Sequence, residues 1–463
     1  MLASLGTSIT ASHGVRNKSL AFPALAAARV REATGAAVTL HVAGMGGFQP
    51  SSIERCMRSH LPATGLPMLI LLEYAVMPDL VGFERMLRRL LRLPASPAVV
   101  AVNIPSFANG PTPLPPQTAE GIGARNGSLR RAEQFDDVAA HYGVPTVSLW
   151  RALREQMLGN SSAYQLREVF LESVHISPLG HRLVAELFAH LYSRAARAGA
   201  DAACAAGPSL DPLPPPLLRD NRHWETSTPR EADCVLGESA RPWIVDGGDW
   251  ELRDEGSALK PKPGWVASSS GGAALHACHP QRNSSREGGV WSVAFLSSYT
   301  APMGSAVAKC SGGCRCAPRV LRGWNPPRAN GQPWGGSTVQ TEHIRFHAER
   351  ARHPQPNATR PSTRRDAMGG RCSCLLSLSR LPPAEGIAPY HSKLLPRQPP
   401  RGTDEGASEA ASRAPRSGAR DAARGPAPGT KFKLVGLAFT EEPRAKAVVF
   451  RSDLGALARR RRL

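Results

Sequence analysis

Five short apolar runs alternate with helix-like segments over residues 1–200, and this alternation constrains the fold more than any other feature of the chain. The runs are rich in Val, Ile and Leu at successive positions, which is typical of strands covered on both faces. Repeated strand–helix units with right-handed crossovers predict a three-layer α/β/α domain around a parallel sheet. The runs are MLASLG, AVTLHVAG, MLILLEYAV, AVVAVNIPSF and PTVSLW.

The segments between and after these runs have helical character. In DLVGFERMLRRLLRL, apolar residues recur at spacings of three and four, and arginines occupy the opposite face. The last segment opens with Ser177 and Pro178, a favourable pair for an N-cap and a first helical turn. The predicted helices are FPALAAARVREATG, SSIERCMRSHLP, DLVGFERMLRRLLRL, LRRAEQFDDVAAHYG and SPLGHRLVAELFAHLYSRAARAG.

The composition changes after residue 200, which predicts a second domain. GPSLDPLPPPLLRDN indicates a Pro-rich linker over 201–230, and short alternating segments over 231–440 predict a smaller, mostly β domain. Two stretches rich in Pro, Ala, Arg, Ser and Gly, about 323–370 (interrupted by HIRFHAE) and 383–429, predict disordered insertions. Residues 441–463 form a basic tail.

The net charge of +20 raises the question of a polyanionic partner. All but eight of the 57 basic residues are arginines, however, and they are scattered among Ala, Gly and Pro. No helix-turn-helix, zinc finger or aromatic–basic platform accompanies them, so nucleic acid is not expected as a partner. No run reaches the ~18 apolar residues that a membrane span requires.

The cysteines indicate disulfides rather than a metal site. The cluster after residue 300 lacks the C-x2-C spacing and the paired histidines of zinc sites. Cys56 lies on an apolar helix face and is predicted to be a small buried hydrophobe. The clustered residues are Cys310, Cys314, Cys316, Cys372 and Cys374.

Two signals about the compartment conflict. Clustered cysteines and five Asn-x-Ser/Thr sequons are typical of an oxidising compartment, which favours a secretory or extracellular protein. No basic and apolar leader precedes the first strand. A chain start assigned too far downstream would reconcile the two. The sequons are at Asn17, Asn126, Asn160, Asn283 and Asn357.

Ser8 and His175 follow the first and the fifth predicted strands. Because the carboxyl ends of parallel strands meet at one edge of a sheet, we expect the two side chains to share a pocket. Glu172, three residues before His175, can fold back onto the imidazole and orient it, while the other ring nitrogen accepts the serine proton. The three residues together predict a Ser-His-Glu hydrolytic triad.

Each of these residues also has a structural alternative. Ser8 could be an ordinary turn residue, His175 could cap or pack near a helix start, and Glu172 could be a surface carboxylate. Among the other polar residues, His181 is predicted to be structural, and Glu73 and Asp79 to be solvated or structural rather than catalytic.

Two alternative roles are considered for the tryptophans of the β domain. They could stack on sugar rings, but core packing is the favoured interpretation. The residues are Trp250, Trp265 and Trp291.

The motifs of the first domain resemble those of SGNH (GDSL-type) hydrolases. LGTSITASHG resembles their first motif block, and FLESVHISPLGH resembles their last block. HVAGMGGFQPSSIERCMRSHLP lies where the glycine block falls, and ILLEYAVMPDLVGFERMLRRLLRLPASPAVVAVN is close to the third block of plant and algal members. The blocks occur in the family's order within residues 1–195.

The resemblance implies a flavodoxin-like α/β fold and hydrolysis of carboxylic esters, with Ser8 as nucleophile and with no metal or organic cofactor. An acyl group on a carbohydrate is the substrate class that it suggests. The β segments FLSSYTAPMGSAVAKCSGGCRC and GTKFKLVGLAF look like the region that accompanies this domain in green-lineage proteins.

Two residues depart from the family pattern. Glu172 stands where the family usually has Asp, and its longer side chain can still reach. Ala75-Val76-Met77-Pro78-Asp79 replaces the block that normally supplies an oxyanion-binding asparagine. The expected donors are therefore the backbone N–H groups of Ser8 and Gly46, with Asn103 as a substitute for the missing side chain.

The missing asparagine leaves other functions open. One alternative is a catalytically degraded relative that binds glycan or protein through its β domain. Another is polyanion binding through the arginine-rich insertions.

Overall fold

The computed structural model of the chain describes residues 1–62, 65–77, 79–107, 114, 126–158, 164–201, 213–222, 233–256, 262–268, 272–279, 288–298, 303–324, 337–348, 374–381 and 431–441. The larger parts of both predicted insertions, the tail beyond residue 441, Cys372 and three of the sequon asparagines (Asn160, Asn283 and Asn357) lie outside these residues.

The first domain is built on a five-stranded parallel sheet, as predicted. Its strand order is β2-β1-β3-β4-β5, the order of flavodoxin-like folds. The inner strands are buried on both faces, whereas β2 is an edge strand whose Val42 is 44% exposed. The strands are β1 (Leu2–Gly6), β2 (Leu40–Gly44), β3 (Leu69–Glu73), β4 (Ala98–Asn103) and β5 (Thr146–Ser148).

Helices cover both faces of this sheet, which confirms the three-layer architecture. The segment predicted as a single helix over SSIERCMRSHLP is instead a short α-helix followed by a 3₁₀ helix. The helices are α1 (Phe22–Thr34), α2 (Pro50–Ile53), α3 (Leu80–Leu91), α4 (Asn126–His141), α5 (Leu149–Leu158), α6 (Leu166–Val169) and α7 (Pro178–Asp201), with 3₁₀ helices at Lys18–Leu20 and Glu54–His60.

Alternation along the strands divides the core between the two faces. In β3, Ile70 and Leu72 join the apolar cluster that contains Phe83 of α3. The intervening Leu71 belongs to the cluster on the other face, with Phe22 of α1. Side chains two residues apart in a strand share a face, so one apolar run supplies both cores.

Asp79 fixes the start of α3 at the edge of the sheet. Its side chain accepts hydrogen bonds from the N–H of Gly82 at 2.9 Å and from the N–H of Ser51 at 2.7 Å. The first bond caps α3 and the second ties it to α2. Asp79 is thus structural, one of the two roles predicted for it.

Part of the predicted linker is packed against the first domain. Among residues 213–222, the carbonyl of Pro214 accepts a hydrogen bond from Arg88 Nη1 at 2.6 Å. The buried carboxylate of Glu84 accepts from the N–H of Leu217 at 2.6 Å and from Asn221 Nδ2 at 2.5 Å. A fixed segment therefore leads from the first domain towards the second.

The second domain consists of two antiparallel sheets. One has the order β14-β12-β16-β10-β7, and the other has the order β13-β15-β11-β17-β9-β8 with β6 paired to β17. The strands are β6 (Asp233–Leu236), β7 (Ile244–Asp246), β8 (Trp250–Asp254), β9 (Pro263–Ala267), β10 (Leu275–Cys278), β11 (Gly289–Ser297), β12 (Ser305–Gly312), β13 (Cys314–Cys316), β14 (Arg319–Arg322), β15 (Thr338–Ala348), β16 (Cys374–Arg380) and β17 (Phe432–Glu441).

The core of this domain is aromatic. Trp250, Trp265 and Trp291 are 4%, 7% and 0% exposed and pack within a single apolar cluster, so they do not form a sugar-stacking surface. The strand predicted at HIRFHAE is longer than expected. β15 begins at Thr338, inside a stretch predicted to be disordered, and the prediction is wrong for these first residues.

Three disulfides lie within the described part of the chain. Cys310 bonds to Cys316, and Cys314 bonds to Cys374. The sulfurs of Cys310, Cys314 and Cys374 lie near one another, but disulfide bonds occupy them, as the disulfide interpretation predicts. None of the helices in this part has the length and apolar character of a membrane span.

The third disulfide joins the two domains and corrects the prediction for Cys56. This residue is 9% exposed, as a buried hydrophobe would be, yet it bonds to Cys234 of β6 across a sequence separation of 178 residues. The helical pattern around Cys56 carries no information about a partner so distant in sequence.

We expect the Cys56→Ala/Cys234→Ala double variant to lose more stability than Cys310→Ala/Cys316→Ala. A cross-link stabilises the fold by restricting the unfolded chain, and the separations are 178 and 6 residues. The chain-entropy relation gives about 5 and about 2 kcal/mol for loops of these lengths. Urea unfolding followed by circular dichroism measures both losses, and equal losses would contradict the expectation.

Candidate active site

Ser8 lies in a tight turn directly after β1. We call residues 7–10 the Ser8 turn. Backbone hydrogen bonds close it, from the N–H of Ala11 to the carbonyl of Thr7 at 3.0 Å and from the N–H of His13 to the carbonyl of Ser8 at 2.8 Å. A Cβ atom at Gly44, the last residue of β2, would lie 2.6 Å from the carbonyl carbon of Thr10. Glycine there lets the turn approach the neighbouring strand.

The hydroxyl of Ser8 meets the imidazole of His175. Ser8 Oγ lies 2.7 Å from His175 Nε2, and the other ring nitrogen, Nδ1, contacts Glu172 Oε1. The two ends of the imidazole are thus occupied by a hydroxyl and a carboxylate. This is the arrangement in which a histidine removes a proton from serine while a carboxylate stabilises the charged ring.

The backbone holds Glu172 in this position. Its carboxylate accepts hydrogen bonds from the N–H of Val174 at 3.0 Å and from the N–H of His175 at 2.9 Å. Partial burial acts to raise the pKa of Glu172, but hydrogen bonding to His175 and the backbone, together with the charge of His175, lowers it below its ordinary value. The carboxylate therefore stays ionised when His175 takes up a proton.

A second histidine, His13, stacks on His175. The ring centroids are 3.7 Å apart, with 23° between the planes. His181 holds the backbone of His13, because its Nε2 lies 3.0 Å from the His13 carbonyl, while its Nδ1 accepts from the N–H of Phe22. Burial lowers the pKa of His181 to about 4, so this ring is neutral, in keeping with the structural role predicted for it.

The glycine loop, residues 44–47, lies over Ser8. A Cβ atom at Gly46 would be 3.4 Å from Ser8 Cβ, and the N–H of Met45 donates to the carbonyl of Gly6 at 2.9 Å. Within the described part of the chain, the N–H groups of Ser8 and Gly46 have no hydrogen-bond partner. The structure thus places Gly46 next to Ser8, and the use of their N–H groups as oxyanion donors stays a prediction.

Asn103 does not fill the place of the missing asparagine. Its Nδ2 donates to the carbonyl of Ala132 at 2.7 Å and to Asp136 Oδ1 at 2.6 Å, both on α4. These bonds use both amide hydrogens, and the side chain is 3% exposed. The prediction failed because a polar residue at the end of a strand can hydrogen-bond to the helix that packs on the sheet. The sequence does not distinguish this from a side chain that faces the active site.

The second domain contacts the glycine loop. Phe48 forms a β-bridge with Val339, and the N–H of Val339 donates to the carbonyl of Gly47 at 2.9 Å. Gly47 has a φ of +79°, and a Cβ atom there would lie 2.7 Å from the carbonyl oxygen of Ser337. The start of β15 therefore supports the loop that faces Ser8.

The sequence indicated Ser8, His175, Glu172 and Gly46 but neither His13 nor the start of β15. His13 lies within the motif LGTSITASHG, and only its position near Ser8 could have singled it out. Nothing in the sequence relates Val339 to Gly47.

Comparison with known proteins identifies solved structures with a similar fold. No protein-family model matches the sequence, and no curated protein matches it significantly. A crystal structure of a two-domain esterase (CEX) active on acetylated mannans aligns with a TM-score of 0.54 and 16% identity, covering 96% of this chain and 91% of that chain. The same esterase co-crystallised with mannopentaose aligns with a TM-score of 0.51 and 15% identity, with the same coverage.

A third structure aligns with a smaller part of the chain. A member of the lipolytic G-D-S-L family from Veillonella parvula has a TM-score of 0.30 and 17% identity, covering 42% of this chain and 98% of that chain. Of these three likenesses, the two to the mannan esterase exceed a TM-score of 0.5. At their low identity they show a shared fold alone: over 96% of its length, α/β domain and β domain together, the chain has the fold of that two-domain esterase.

We expect Glu172→Gln to lower stability in a pH-dependent way. A carboxylate whose folded pKa lies below the unfolded value, about 4.5, stabilises the fold above that pH and loses this contribution as the pH falls through the folded pKa. The wild type should exceed Glu172→Gln in unfolding free energy near neutral pH, and the difference should shrink below about pH 4.5.

Urea unfolding over this pH range measures that difference. Glu155→Gln, which changes an exposed carboxylate on α5, is the control and should give no such trend. A difference between wild type and Glu172→Gln that does not change with pH would contradict the expectation.

Proposed function

We propose that the protein is a serine esterase that hydrolyses carboxylic esters, with acyl groups on carbohydrate as its substrate class. The observation that carries the proposal is the 2.7 Å contact between Ser8 Oγ and His175 Nε2, with Glu172 on the other ring nitrogen. Structural roles alone, such as a turn serine or a helix-capping histidine, do not require these three groups in one line.

The chemistry follows from these positions. Ser8 Oγ attacks the ester carbonyl as His175 Nε2 takes its proton, and Glu172 stabilises the imidazolium. The carbonyl oxygen becomes an oxyanion that accepts hydrogen bonds from the N–H groups of Ser8 and Gly46. Collapse of the tetrahedral intermediate expels the alcohol, which His175 protonates, and water then releases the acid from the acyl-enzyme by the same steps in reverse.

Among the residues that the structure describes, the proposed oxyanion site has two backbone donors and no side-chain donor at the positions expected from the sequence. Met77 stands in the segment where the asparagine is expected, and Asn103 is bonded to α4. Loss of one such donor typically costs about 100- to 1000-fold in rate. The expected enzyme is therefore slower than one with three donors but retains the machinery for both chemical steps.

The substrate class is supported by the shared fold. The two-domain esterase that aligns with 96% of this chain is described as active on acetylated mannans. The Ser8 turn lies at the carboxyl edge of the sheet, where open α/β sheets bind their ligands, and the neighbouring Gly47 contacts the second domain. Neither a metal nor an organic cofactor takes part in the proposed reaction.

A second candidate is a degraded enzyme that binds glycan or protein, and the missing asparagine favours it. Hydrolysis of p-nitrophenyl acetate by wild type and by Ser8→Ala distinguishes the two. We expect turnover by wild type and a loss of at least about 1000-fold in Ser8→Ala. Equal rates would refute the esterase, and acetate release from acetylated mannan, compared with acetylated xylan, then tests the substrate class.

We also expect Gly47→Ala to lower kcat by about 10-fold or more, because the added methyl would push the glycine loop away from Ser337 and displace an oxyanion donor. Gly35→Ala is the matched control. Gly35 has a similar φ of +68° with nothing within 4 Å of an added Cβ, so this variant should lose stability without losing kcat. Equal kcat values for the two variants would contradict a role for the loop.

A further inference from the structure

Glu73 is the last residue of β3 and lies beside the Ser8 turn. In the parallel register it pairs with Gly6, the last residue of β1. It is completely buried, and so are Thr7 and Thr10 on either side of the nucleophile. A carboxylate in such a place requires an explanation, because burial of an ionisable group is costly unless it is hydrogen-bonded.

One carboxylate oxygen of Glu73 binds both ends of the Ser8 turn. Oε2 accepts from the N–H and the hydroxyl of Thr7 at 3.0 and 2.9 Å. It also accepts from the N–H and the hydroxyl of Thr10 at 3.3 and 3.1 Å. Four donors from a four-residue turn therefore converge on one atom, and Ser8 lies between them.

The space around this atom is filled. A Cβ atom at Gly6 would lie 2.7 Å from the carbonyl oxygen of Glu73 and 2.8 Å from its Oε2. The other carboxylate oxygen, Oε1, is buried and makes no hydrogen bond to the described residues. All the hydrogen bonding of the Glu73 side chain within them is thus directed to the Ser8 turn.

The environment has two opposing effects on the charge. Burial raises the pKa of Glu73 to about 7, although the hydrogen bonds from Thr7 and Thr10 act to lower it. An apolar residue in its place would leave the N–H and hydroxyl groups of Thr7 and Thr10 without this acceptor, which is costly for buried donors. Two of these donors, the N–H groups of Thr7 and Thr10, belong to the backbone on either side of Ser8.

We propose that Glu73 is a positioning residue for the nucleophile: its Oε2 fixes the Ser8 turn so that Ser8 Oγ faces His175 and the Ser8 N–H faces the oxyanion. Glu73 touches neither the ester nor the imidazole in this role. The catalytic consequence rests on the esterase proposed above, whereas the placement of the Ser8 hydroxyl does not.

The threonines offer a matched test. Thr10→Val is isosteric and removes one hydroxyl donor to Glu73, whereas Thr10→Ser keeps the hydroxyl. Glu73→Gln keeps an oxygen at Oε2 and places its amide nitrogen where Oε1 has no hydrogen-bond partner among the described residues. It therefore removes the charge while changing the shape little.

We expect kcat for p-nitrophenyl acetate to fall about 10- to 100-fold in Thr10→Val and Glu73→Gln, since small displacements of a reacting group have effects of this size. KM should stay within about two-fold, because the ester-binding surface is unchanged. Thr10→Ser should retain kcat within about three-fold. Labelling of Ser8 by a fluorophosphonate should slow in parallel with kcat.

Glu84→Gln is the control for loss of a buried carboxylate. Glu84 is also completely buried and accepts hydrogen bonds from Tyr142 and from the segment 213–222, away from the Ser8 turn. We expect this variant to lose stability and to keep kcat and the labelling rate. Rates in all variants are compared at equal folded fraction.

The ¹⁵N shift of His175 Nε2 gives a readout that needs no substrate, because it reports the hydrogen bond from Ser8. It should change in Thr10→Val and Glu73→Gln and stay as in wild type in Thr10→Ser and Glu84→Gln. Wild-type values of kcat, labelling rate and Nε2 shift in both Thr10→Val and Glu73→Gln would overturn the inference. An inactive wild type whose Nε2 shift responds to Thr10→Val would refute the esterase and uphold the positioning role.

Discussion

The reversal of strand order beside β1 is the constraint on which the site depends. In the order β2-β1-β3-β4-β5, the chain runs to one side of β1 first and to the other side afterwards, and open α/β sheets bind their ligands at the carboxyl ends of the strands at such a point. Ser8 and Glu73 lie at this point. The loop after α6 reaches the same edge and delivers His175, and the contact between hydroxyl and imidazole follows from this topology.

At this edge of the sheet, each residue proposed to react is held by a neighbour that has no chemical role in the proposed reaction. Glu172 is oriented by backbone N–H groups, and His13 lies against the face of the His175 ring. The glycine loop is held by a hydrogen bond from β15 of the second domain. The disulfide between Cys56 and Cys234 joins the same two domains. The β domain therefore supports the loop that lies next to Ser8.

Much of this could be predicted from the sequence, because it depends on local patterns. The parallel sheet followed from continuous apolar runs, and the positions of Ser8, Glu172 and His175 followed from which strand each residue succeeds. The errors have a common cause. The partner of Cys56, the bonds from Asn103 to α4 and the contact of Gly47 with Val339 all join residues that are distant in the chain and lie in no repeating pattern.

The contact between the glycine loop and β15 also limits how such a chain can evolve. In many two-domain proteins the domains are exchanged by recombination, since each keeps its own core and site. Here the carbonyl of Gly47, in the glycine loop beside Ser8, accepts a hydrogen bond from the N–H of Val339, more than 290 positions downstream. A foreign β domain would keep this contact only if it placed a strand end with an unpaired amide at the same position.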